Sequence, residues 1–358
     1  MKIIVLKFGG TSVGTLRKIS KVAKVIASYA KKKYKVIVVS SAMSGVTNQL
    51  LLKTKKISQN FPNEEKDVIL STGEQISCAL IAGKLNLLGY KSRSWLGWQL
   101  PIITKGKHSS SRIIKIQKAK IIKYLKSGGI PIITGFQGIN SDFRITTLER
   151  GGSDTSAILC AKFFNAEKCI IYTDVDGVYT TDPNSVRNAK KIKVISYEEM
   201  LEMASLGAKV MQPNAVQTSM IDNIPIHVRS TFSENPGTKI VSENEIDNKK
   251  VVTGIAYSKG NAKVSIVGVV DKPGVAAEVF EPIGKNNINI DMVIQNTSLD
   301  GKKANITFTI KREDLQKTLS LIEKNKEKLN YNNVTHDDKL AKVSIIGAGM
   351  IANPGVTY

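Results

Sequence analysis

Three glycine-containing stretches of the sequence carry side chains that could bind a ligand, and the first two are suited to binding anions. The first, KFGGTSVG, places Lys7 before Gly9 and Gly10 at the end of the apolar run Ile3–Leu6. Glycines allow a backbone to approach a ligand closely, and lysine adds a full positive charge. The pattern predicts an anion site, although a plain glycine turn with a solvated lysine explains it equally well. It has neither the spacing of a P-loop nor that of a dinucleotide-binding fingerprint.

The second stretch, TTLERGGSDTSA, contains Arg150, Ser153 and Asp154. Ser153 and Asp154 suit the N-cap and first turn of a helix, and capping alone explains them. Capping does not explain Arg150, because a guanidinium beside two glycines is suited to bidentate binding of a carboxylate or phosphate. If both stretches follow parallel strands, they can face one crevice at the carboxyl edge of the sheet.

The third stretch, YTDVDGVYTTDP, brings Thr173, Asp174, Asp176, Tyr179 and Asp182 together after a predicted strand. Its Asp and Gly residues are typical of a loop in which side chains serve the backbone. The alternative is a nucleotide platform, with the tyrosine against a base or ribose and the acidic groups near ribose or a metal ion. The residues alone leave both interpretations open.

Further hydroxyl groups and one carboxylate occur in two other segments. SSAMSGVTN contributes Ser41 and Thr47 after a predicted strand, and STGEQIS contributes Glu74 within an otherwise apolar helical pattern. A carboxylate in that setting lies either at a solvated edge or opposite a cationic group of a ligand. The pattern does not decide between the two.

Composition excludes several classes of protein. The 358-residue chain has a formal net charge of +22, but its lysines are dispersed and only 6% of residues are aromatic, so no nucleic-acid role is predicted. No apolar run approaches the length of a membrane span, so no membrane role is predicted either. Three scattered histidines without an H-E-x-x-H motif, and three cysteines without a C-x-x-C motif, indicate no metal site. Buried reduced thiols in a cytoplasmic protein are the expectation.

Alternating strand and helix patterns must position these residues. The predicted strands are Ile3–Phe8, Lys35–Ser40, Ile102–Thr104, Ile130–Thr134, Cys169–Thr173 and Ile226–Arg229, and the predicted helices are Leu16–Ala30, Glu65–Leu88, Ile113–Leu125, Asp154–Phe164 and Tyr197–Thr218. Such alternation indicates a mostly parallel sheet with helices on both faces. The Gly-, Pro-, Ser- and Asn-containing segment Ser230–Lys250 is predicted to be an interdomain linker.

An internal repeat follows the linker, since KVSIVGVVDKPGV (263–275) recurs as KVSIIGAGMIANPGV (342–356). After the first copy come a predicted helix at Val275–Lys285, strands at 288–296 and Ala304–Ile310, and a helix at Glu313–Lys326. This order predicts a small βαββα(β) sandwich. The second copy stops before its helix, so truncation is expected. Its G-x-G-x-x-A pattern is not followed by the strand and acidic residue that a Rossmann unit needs.

Seven motifs occur in the order found in aspartate kinases: KFGGTSVG, VSSAMSGVTN, STGEQIS, GFQG, TTLERGGSDTSA, YTDVDGVYTTDP and GAKVMQP. The whole chain therefore resembles the aspartokinase family. The resemblance implies an α/β fold, with a three-layer αβα amino-acid-kinase (carbamate-kinase-like) domain and a mostly parallel sheet over residues 1–240. It further implies a linker at 241–250, a ferredoxin-like βαββαβ ACT regulatory domain at 251–335, and an incomplete second ACT domain at 336–358.

The resemblance also implies roles for individual residues. Lys7 and Asp154 would be catalytic: Lys7 would hold the transferring phosphoryl group, helped by the amides of Gly9 and Gly10, and Asp154 would organise the lysine network. Arg150 would bind the carboxylates of the amino-acid substrate and Glu74 its ammonium group, with Ser41, Thr47, Thr147 and Ser153 completing the substrate site. ATP would be bound by Lys7, Gly9, Gly10, Thr173, Asp174, Tyr179, Asp182 and Lys209.

The implied reaction uses MgATP to phosphorylate the side-chain carboxylate of L-aspartate, giving 4-phospho-L-aspartate for lysine, threonine and methionine synthesis. In the ACT region, Gly274, Ala276, Asp291 and Gln295 would bind a lysine or threonine effector; alternatively, that domain only dimerises the protein. The expected assembly is a homo-oligomer or a pairing through ACT domains.

Two positions depart from the family pattern. Glu149 stands where glycine is usual, which places a negative charge beside an anionic substrate, and Asn184 replaces a frequent arginine. Both departures bear on affinity more than on activity. One alternative function is a kinase of the same fold acting on glutamate or another carboxylate, and another is a catalytically silent ACT-type regulator. Glu74 and Arg150 favour a free acidic amino acid, and Lys7 with Asp154 argues against a silent regulator.

Overall fold

The computed structural model describes residues 1–149, 151–208, 210–246, 251–297, 303–350 and 353. The chain divides into two compact units, one formed by Met1–Ile255 with Ile345–Tyr358 and the other by Ala256–Ser344. The strands of the first unit are β1 (Ile3–Phe8), β2 (Lys35–Ser40), β3 (Ser92–Trp95), β4 (Ile102–Lys105), β5 (Arg112–Ile116), β6 (Ile130–Thr134), β7 (Gln137–Ile139), β8 (Ile145–Thr147), β9 (Cys169–Thr173), β10 (Val194–Ser196), β11 (Ile226–Ser230) and β12 (Thr238–Val241). Its helices are α1 (Leu16–Lys31), α2 (Val46–Ile57), α3 (Asn63–Leu87), α4 (Ala119–Lys126), α5 (Gly152–Phe163), α6 (Tyr197–Ser205) and α7 (Pro213–Ile221).

The first unit is built on an eight-stranded sheet with the order β10-β12-β11-β9-β1-β2-β6-β3. Its described pairings are parallel, apart from the antiparallel pairing of β11 with β12. β1 lies near the centre and is buried along its whole length. Its apolar run is typical of parallel strands, because helices cover both faces of such sheets. A smaller sheet has the order β5-β4-β7-β8.

Helices lie on both faces of the large sheet. Ile4, Leu6 and Phe8 of β1 pack into one hydrophobic core with residues of α1 and α3. Successive residues of a strand point to opposite faces, so Lys7 points to the other face, where it meets Asp154 of α5. The predicted αβα layering and mostly parallel sheet are therefore confirmed.

The register of the central strands brings their carboxyl ends to one edge. Lys7 of β1 lies beside Val39 of β2 and beside Ile171 of β9. The loops that follow these three strands therefore begin at the same level of the sheet. This edge is the place where an open α/β sheet binds its ligands.

Two of the predicted helices are wrong in their extent. The segment predicted as one helix, Ile113–Leu125, forms β5 and then α4, because its first isoleucines pair with β4 in an antiparallel ladder. β-Branched residues favour such a pairing. The predicted helix Tyr197–Thr218 is divided into α6 and α7. Gly207 has a φ of 122° in the break, and Pro213 opens α7 at a position where proline fits a helix.

The predicted linker is wrong in its middle part. Thr238–Val241 forms β12, which pairs with both β10 and β11 in the large sheet. Residues 247–250 of that segment lie outside the described residues.

Within its described residues, the second unit contains a four-stranded sheet and three α-helices. Its elements are β13 (Gly254–Val270), α8 (Val275–Lys285), β14 (Val293–Thr297), β15 (Lys303–Lys311), α9 (Leu315–Lys324), α10 (Lys326–Leu329) and β16 (Asn333–Ile346). The sheet order is β14-β15-β13-β16, and apolar residues of β13 and β15 form a core with α8 and α9. The predicted βαββαβ order is present. β16 runs continuously across the domain boundary predicted at 335/336.

Candidate active site

A buried ion pair lies at the carboxyl edge of the large sheet. Lys7 is near the end of β1, and its Nζ atom is 2.6 Å from Oδ1 of Asp154. Asp154 belongs to the first turn of α5, where the helix dipole favours a carboxylate. Both residues are less than a tenth exposed, with relative exposures of 8% for Lys7 and 7% for Asp154. The two residues predicted to be catalytic are therefore in direct contact.

The two glycines after β1 have different surroundings. A Cβ atom on Gly10 would lie 2.9 Å from the carbonyl oxygen of Ala42, so the close approach of the loops after β1 and β2 needs glycine here. The amide of Gly9 donates to the carbonyl oxygen of Tyr172 at 3.1 Å. Its predicted role as a phosphate donor is therefore not available in this arrangement. The amide of Gly10 has no acceptor within the described parts of the chain.

The start of α5 differs from the prediction. Its N-cap is Gly151, which has a φ of 78° and makes no side-chain capping bond, so the predicted capping role of Ser153 is wrong. Gly151 adopts a left-handed conformation that other residues rarely accept. Ser153 instead lies inside the first turn, close to Gly135, where an added Cβ would approach its Oγ to 2.7 Å. Arg150 lies outside the described residues, so its predicted role stays a prediction.

Glu74 is a buried carboxylate with an open oxygen. It lies on α3 with a relative exposure of 3%. Its Oε1 accepts a hydrogen bond of 3.0 Å from the amide of Ala42, whereas Oε2 has no partner among the described residues. Burial raises the pKa of this carboxyl to about 7, although the bond from Ala42 opposes the shift. Of the two settings considered for Glu74, a solvated edge is thereby excluded.

The predicted hydroxyl contacts divide into two groups. Ser41 and Thr47 are partly buried after β2 and at the start of α2, and their hydroxyls form no hydrogen bond with a described residue. Thr147 is fully buried, and its hydroxyl donates to Oδ1 of Asp67 at 2.6 Å. The Thr147 hydroxyl, predicted to contact the substrate, therefore donates its hydrogen bond to Asp67 instead.

The residues predicted to hold ATP follow β9. Thr173 donates its hydroxyl to Asp174 at 3.0 Å, and Tyr179 donates its phenol to Oδ1 of Asp176 at 2.6 Å. The Tyr179 bond, together with Lys191 and Asn235, holds the pKa of Asp176 below its usual value. Lys209 lies outside the described residues.

Asp182 anchors the end of the same loop. Its Oδ1 accepts from the backbone amide of Asn184 at 2.9 Å and from Asn184 Nδ2 at 3.1 Å. The residue that departs from the family pattern thus stabilises the turn that follows Asp182.

The predicted effector residues all lie in the second unit. Gly274 is the N-cap of α8 with a φ of 89°, and Ala276 lies in the first turn of that helix. Asp291 pairs with Lys342, and Gln295 is exposed on the edge strand β14.

Neither a metal cluster nor a membrane span is found in the part of the chain that the structure describes. No three His, Cys, Asp or Glu side chains there lie close enough together to hold a metal ion. Within the same residues, no helix is both long and apolar enough to cross a bilayer.

Comparison with known proteins agrees with this geometry. The sequence model of the amino acid kinase family matches residues 2–230, and an ACT domain model matches residues 264–325. An aspartokinase of Bacillus sp. (strain MGA3) is 43% identical over 356 residues, covering 99% of this chain and 86% of the relative. The chain belongs to the aspartokinase family. It is therefore a kinase, as the motif order predicted.

Two solved structures show the same fold. Aspartokinase III of E. coli in complex with aspartate and ADP (R-state) superposes with a TM-score of 0.82 at 25% identity, covering 99% of this chain and 90% of that one. The same enzyme in complex with lysine and aspartate (T-state) gives a TM-score of 0.78 at 25% identity, covering 97% and 87%. The aspartokinase fold therefore extends over almost the whole chain.

Sequence reasoning missed one buried carboxylate beside the site. Asp67 is fully buried on α3 and accepts hydrogen bonds from two segments distant in sequence. The one local signal is its position seven residues before Glu74 in the same helix. A second missed contact joins Ser12 to Thr231, whose hydroxyls are 2.7 Å apart and link the loops after β1 and β11.

Proposed function

We propose that this protein transfers the γ-phosphoryl group of ATP to the side-chain carboxylate of L-aspartate, producing ADP and 4-phospho-L-aspartate. The observation that carries the proposal is the buried pair of Lys7 and Asp154 at the carboxyl edge of the sheet. Oε2 of Glu74, unbonded within the described residues, supports it, because a free amino acid has an ammonium group from which this oxygen can accept a hydrogen bond. The aspartate and ADP bound to the E. coli relative agree with both features.

Substrate binding follows from the charges of the site. The ammonium group of aspartate supplies the partner that Oε2 of Glu74 lacks, which favours the ionised form of that carboxyl. Arg150 is proposed to bind the substrate carboxylates, since a planar guanidinium matches them bidentately. The hydroxyls of Ser41, Thr47 and Ser153 are proposed to complete the site. These contacts would hold the side-chain carboxylate of aspartate next to the γ-phosphoryl group of ATP, so that the reaction between the two substrates becomes effectively unimolecular.

Phosphoryl transfer needs charge neutralisation more than proton transfer. A side-chain carboxylate oxygen of aspartate attacks the γ-phosphorus in line, an O–P bond forms, and the bond to the β,γ-bridging oxygen breaks to release ADP. Lys7 neutralises the charge on the transferring group, helped by the amide of Gly10. Asp154 holds the ammonium group of Lys7 in place, because its Oδ1 is only 2.6 Å away. These fixed charges act where charge develops in the transition state.

ATP is proposed to lie along Thr173, Asp174, Tyr179, Asp182 and Lys209. Mg²⁺ is proposed to accompany it, since this ion is usually held by substrate phosphates together with one or two carboxylates. Asp174 fits that requirement, because its carboxylate is exposed directly after β9 and, among the described residues, is bonded by a hydroxyl at Oδ1 alone. The ion would neutralise phosphate charge during transfer.

Regulation and cellular role are proposed from the ACT unit and the family. Lysine or threonine is proposed to bind near Gly274, Ala276, Asp291 and Gln295, in line with the lysine complex of the E. coli enzyme. Pairing of ACT units in a homo-oligomer, and entry of the product into lysine, threonine and methionine synthesis, are part of the same proposal. A cytoplasmic location fits the three cysteines, which are free and buried.

The direct test is to incubate the protein with MgATP, L-aspartate and hydroxylamine, and to measure aspartyl hydroxamate. We expect hydroxamate with L-aspartate and little with L-glutamate. Product with L-glutamate alone would overturn the substrate assignment. No product with either amino acid would favour the silent-regulator alternative.

A further inference from the structure

The carboxylate of Asp67 is the most completely bonded acidic group near the site. Its Oδ1 accepts from the hydroxyls of Ser109 at 2.9 Å and Thr147 at 2.6 Å. Its Oδ2 accepts from the amides of Ser109 at 3.0 Å and Thr147 at 2.9 Å, and lies 2.9 Å from Nδ1 of His108. A buried carboxylate needs such compensation, since an unpaired one is costly.

These bonds join three parts of the first unit. Asp67 belongs to α3, His108 and Ser109 belong to the loop between β4 and β5, and Thr147 ends β8. The joint is reinforced by the amide of Ser111, which donates to the carbonyl oxygen of Thr147 at 3.1 Å. β8 is thus held against α3 at its last residue.

The segment after Thr147 leads directly to the proposed substrate and catalytic groups. Arg150 follows three residues later and α5 begins at Gly152, whose amide donates to the carbonyl oxygen of Glu149 at 2.9 Å. Asp154 is in the first turn of that helix. A shift at the end of β8 would therefore move the start of α5.

Asp67 and Glu74 share one face of α3. They are seven residues apart, which is close to two turns, so the helix separates them by about 10 Å along its axis. α3 is continuous from Asn63 to Leu87 and behaves as a rigid spacer between the two carboxylates. One end of the spacer carries the proposed ammonium site, and the other end holds the segment that leads to the proposed carboxylate site.

We propose that Asp67 is a positioning residue that sets the distance between Glu74 and the first turn of α5, which begins at Gly152, and thereby the affinity for aspartate over the longer glutamate. The inference rests on the proposed function. Glutamate is longer by one methylene group, a difference that binding pockets discriminate by about 10- to 200-fold. A fixed separation between the two charged ends of this site would make it sensitive to that difference in length.

The test compares two substitutions of the same residue. Asp67→Asn can keep the network, because an amide oxygen can accept from the two backbone amides while the NH₂ group donates to the two hydroxyls. Asp67→Leu removes every bond. In the hydroxamate assay we expect Asp67→Leu to raise the KM for aspartate at least about tenfold and the KM for ATP less than about twofold. Asp67→Asn should raise the KM for aspartate less than about threefold, and Asp67→Leu should narrow the preference for aspartate over glutamate.

Smaller substitutions keep the test valid if Asp67→Leu does not fold. Ser109→Ala removes one bond to Asp67, and we expect it to raise the KM for aspartate about threefold. Thr104→Val is the matched control, because it removes a buried hydroxyl that contacts Thr146 at 2.6 Å and not Asp67. It should leave that KM unchanged. An equal rise in the KM for aspartate in Ser109→Ala and Thr104→Val would show that loss of any buried hydroxyl in this region weakens binding, and it would overturn the proposal.

The remaining outcomes separate this inference from the proposed function. If the wild-type protein forms no hydroxamate, the proposed function fails before any variant is compared. If the wild type is active and folded Asp67→Leu has a lower kcat and Tm but an unchanged KM for aspartate, Asp67 is only structural and the inference is wrong.

Discussion

The amino-terminal and central regions of α3 each bury a carboxylate on the same face of the helix, but the two are surrounded differently. Asp67 accepts hydrogen bonds at both oxygens, from the β4–β5 loop and from β8. Glu74 accepts one bond from Ala42, and its second oxygen has no described partner. A buried polar group without a partner costs stability.

This difference separates two uses of a buried charge. A fully bonded carboxylate stabilises the local fold and holds distant segments together. A buried carboxylate with an oxygen that no described residue bonds, such as Glu74, lowers the stability of the folded protein when it is ionised. The pKa of Glu74, raised to about 7 by burial, reflects that loss of stability. Such a group is a candidate for ligand binding, because a substrate can donate the hydrogen bond that no described protein group donates to it.

The largest effect is expected at a third buried carboxylate, Asp154, whose partner is Lys7. Lys7→Met removes the charge proposed to face the γ-phosphoryl group, so kcat should fall at least about a thousandfold while the KM for aspartate changes less than about threefold. It also leaves Asp154 unpaired, so thermal denaturation should show a lower Tm.

The control is the double variant Lys7→Met/Asp154→Asn. It should recover Tm, because it removes the unpaired charge, but not kcat. A single variant with near-normal turnover would show that Lys7 is a structural lysine.

The next effect tests the open oxygen of Glu74. Glu74→Gln keeps an acceptor for Ala42 and removes the negative charge proposed to bind the substrate ammonium. We expect the KM for aspartate to rise about a hundredfold in steady-state assays, with the KM for ATP unchanged within about twofold. The amide variant in the amino-terminal region of the same helix, Asp67→Asn, is the comparison. Equal changes in KM would mean that bonding state does not distinguish the two carboxylates.

The pH dependence of binding follows from the same group. With a pKa of about 7, Glu74 is mostly protonated at pH 6 and mostly ionised at pH 8 in the free protein. Only the ionised form attracts an ammonium group, so the KM for aspartate should fall by about tenfold from pH 6 to pH 8. In Glu74→Gln the KM should not follow this profile. An identical profile in the variant would assign the titration to another group.

Stability should change with pH in the opposite sense to binding. The folded-state pKa of Glu74, about 7, is raised above the ordinary value of 4.5, so the folded protein binds more protons than the unfolded chain between these values. The contribution of Glu74 to the free energy of unfolding is therefore greatest below pH 4.5, and is lost as the pH rises to about 7. Urea denaturation at several pH values should show this loss in the wild type and not in Glu74→Gln.

The smallest effect is expected at an exposed carboxylate. Glu149 departs from the family pattern, but its side chain is exposed and, from the residues that the structure describes, accepts a single 3.3 Å bond, from Asn214. Water and salt screen such a charge, so Glu149→Gln should change the KM for aspartate less than about twofold. A fivefold decrease in the KM for aspartate in this variant would show that the charge of Glu149 acts on the substrate site despite its exposure to solvent.

Much of the core could be predicted from the sequence. The bounds of β1, β2, β6 and β9 are as predicted, because each is a short Val- or Ile-rich run ended by a glycine, serine or threonine. Those runs alone predict that Lys7 lies at the carboxyl edge of the sheet, near the end of its strand. The segment Arg112–Ile116 misled the prediction, because isoleucines at helical spacing also satisfy a strand when a partner strand is available.

Long-range hydrogen bonds could not be predicted. The partners of Asp67 come from residues 41 to 80 positions away, and no local pattern reports that separation. The same limit applies to the amide of Gly9, whose acceptor Tyr172 belongs to another strand. Sequence patterns therefore identified the type of groups at the site better than the bonds among them.

The junction between the two units has a consequence for the modularity of the chain. The amide of Thr253 donates to the carbonyl oxygen of Ile346 at 2.8 Å, so the chain leaves the first unit and returns to it at neighbouring positions. Both positions are fixed to α6, because Oε1 of Glu199 accepts from the hydroxyl of Thr253 and from the amide of Ala348. The Ala256–Ser344 unit is thus an insertion between two neighbouring positions of the first unit. If it were deleted, a short turn could join those two positions.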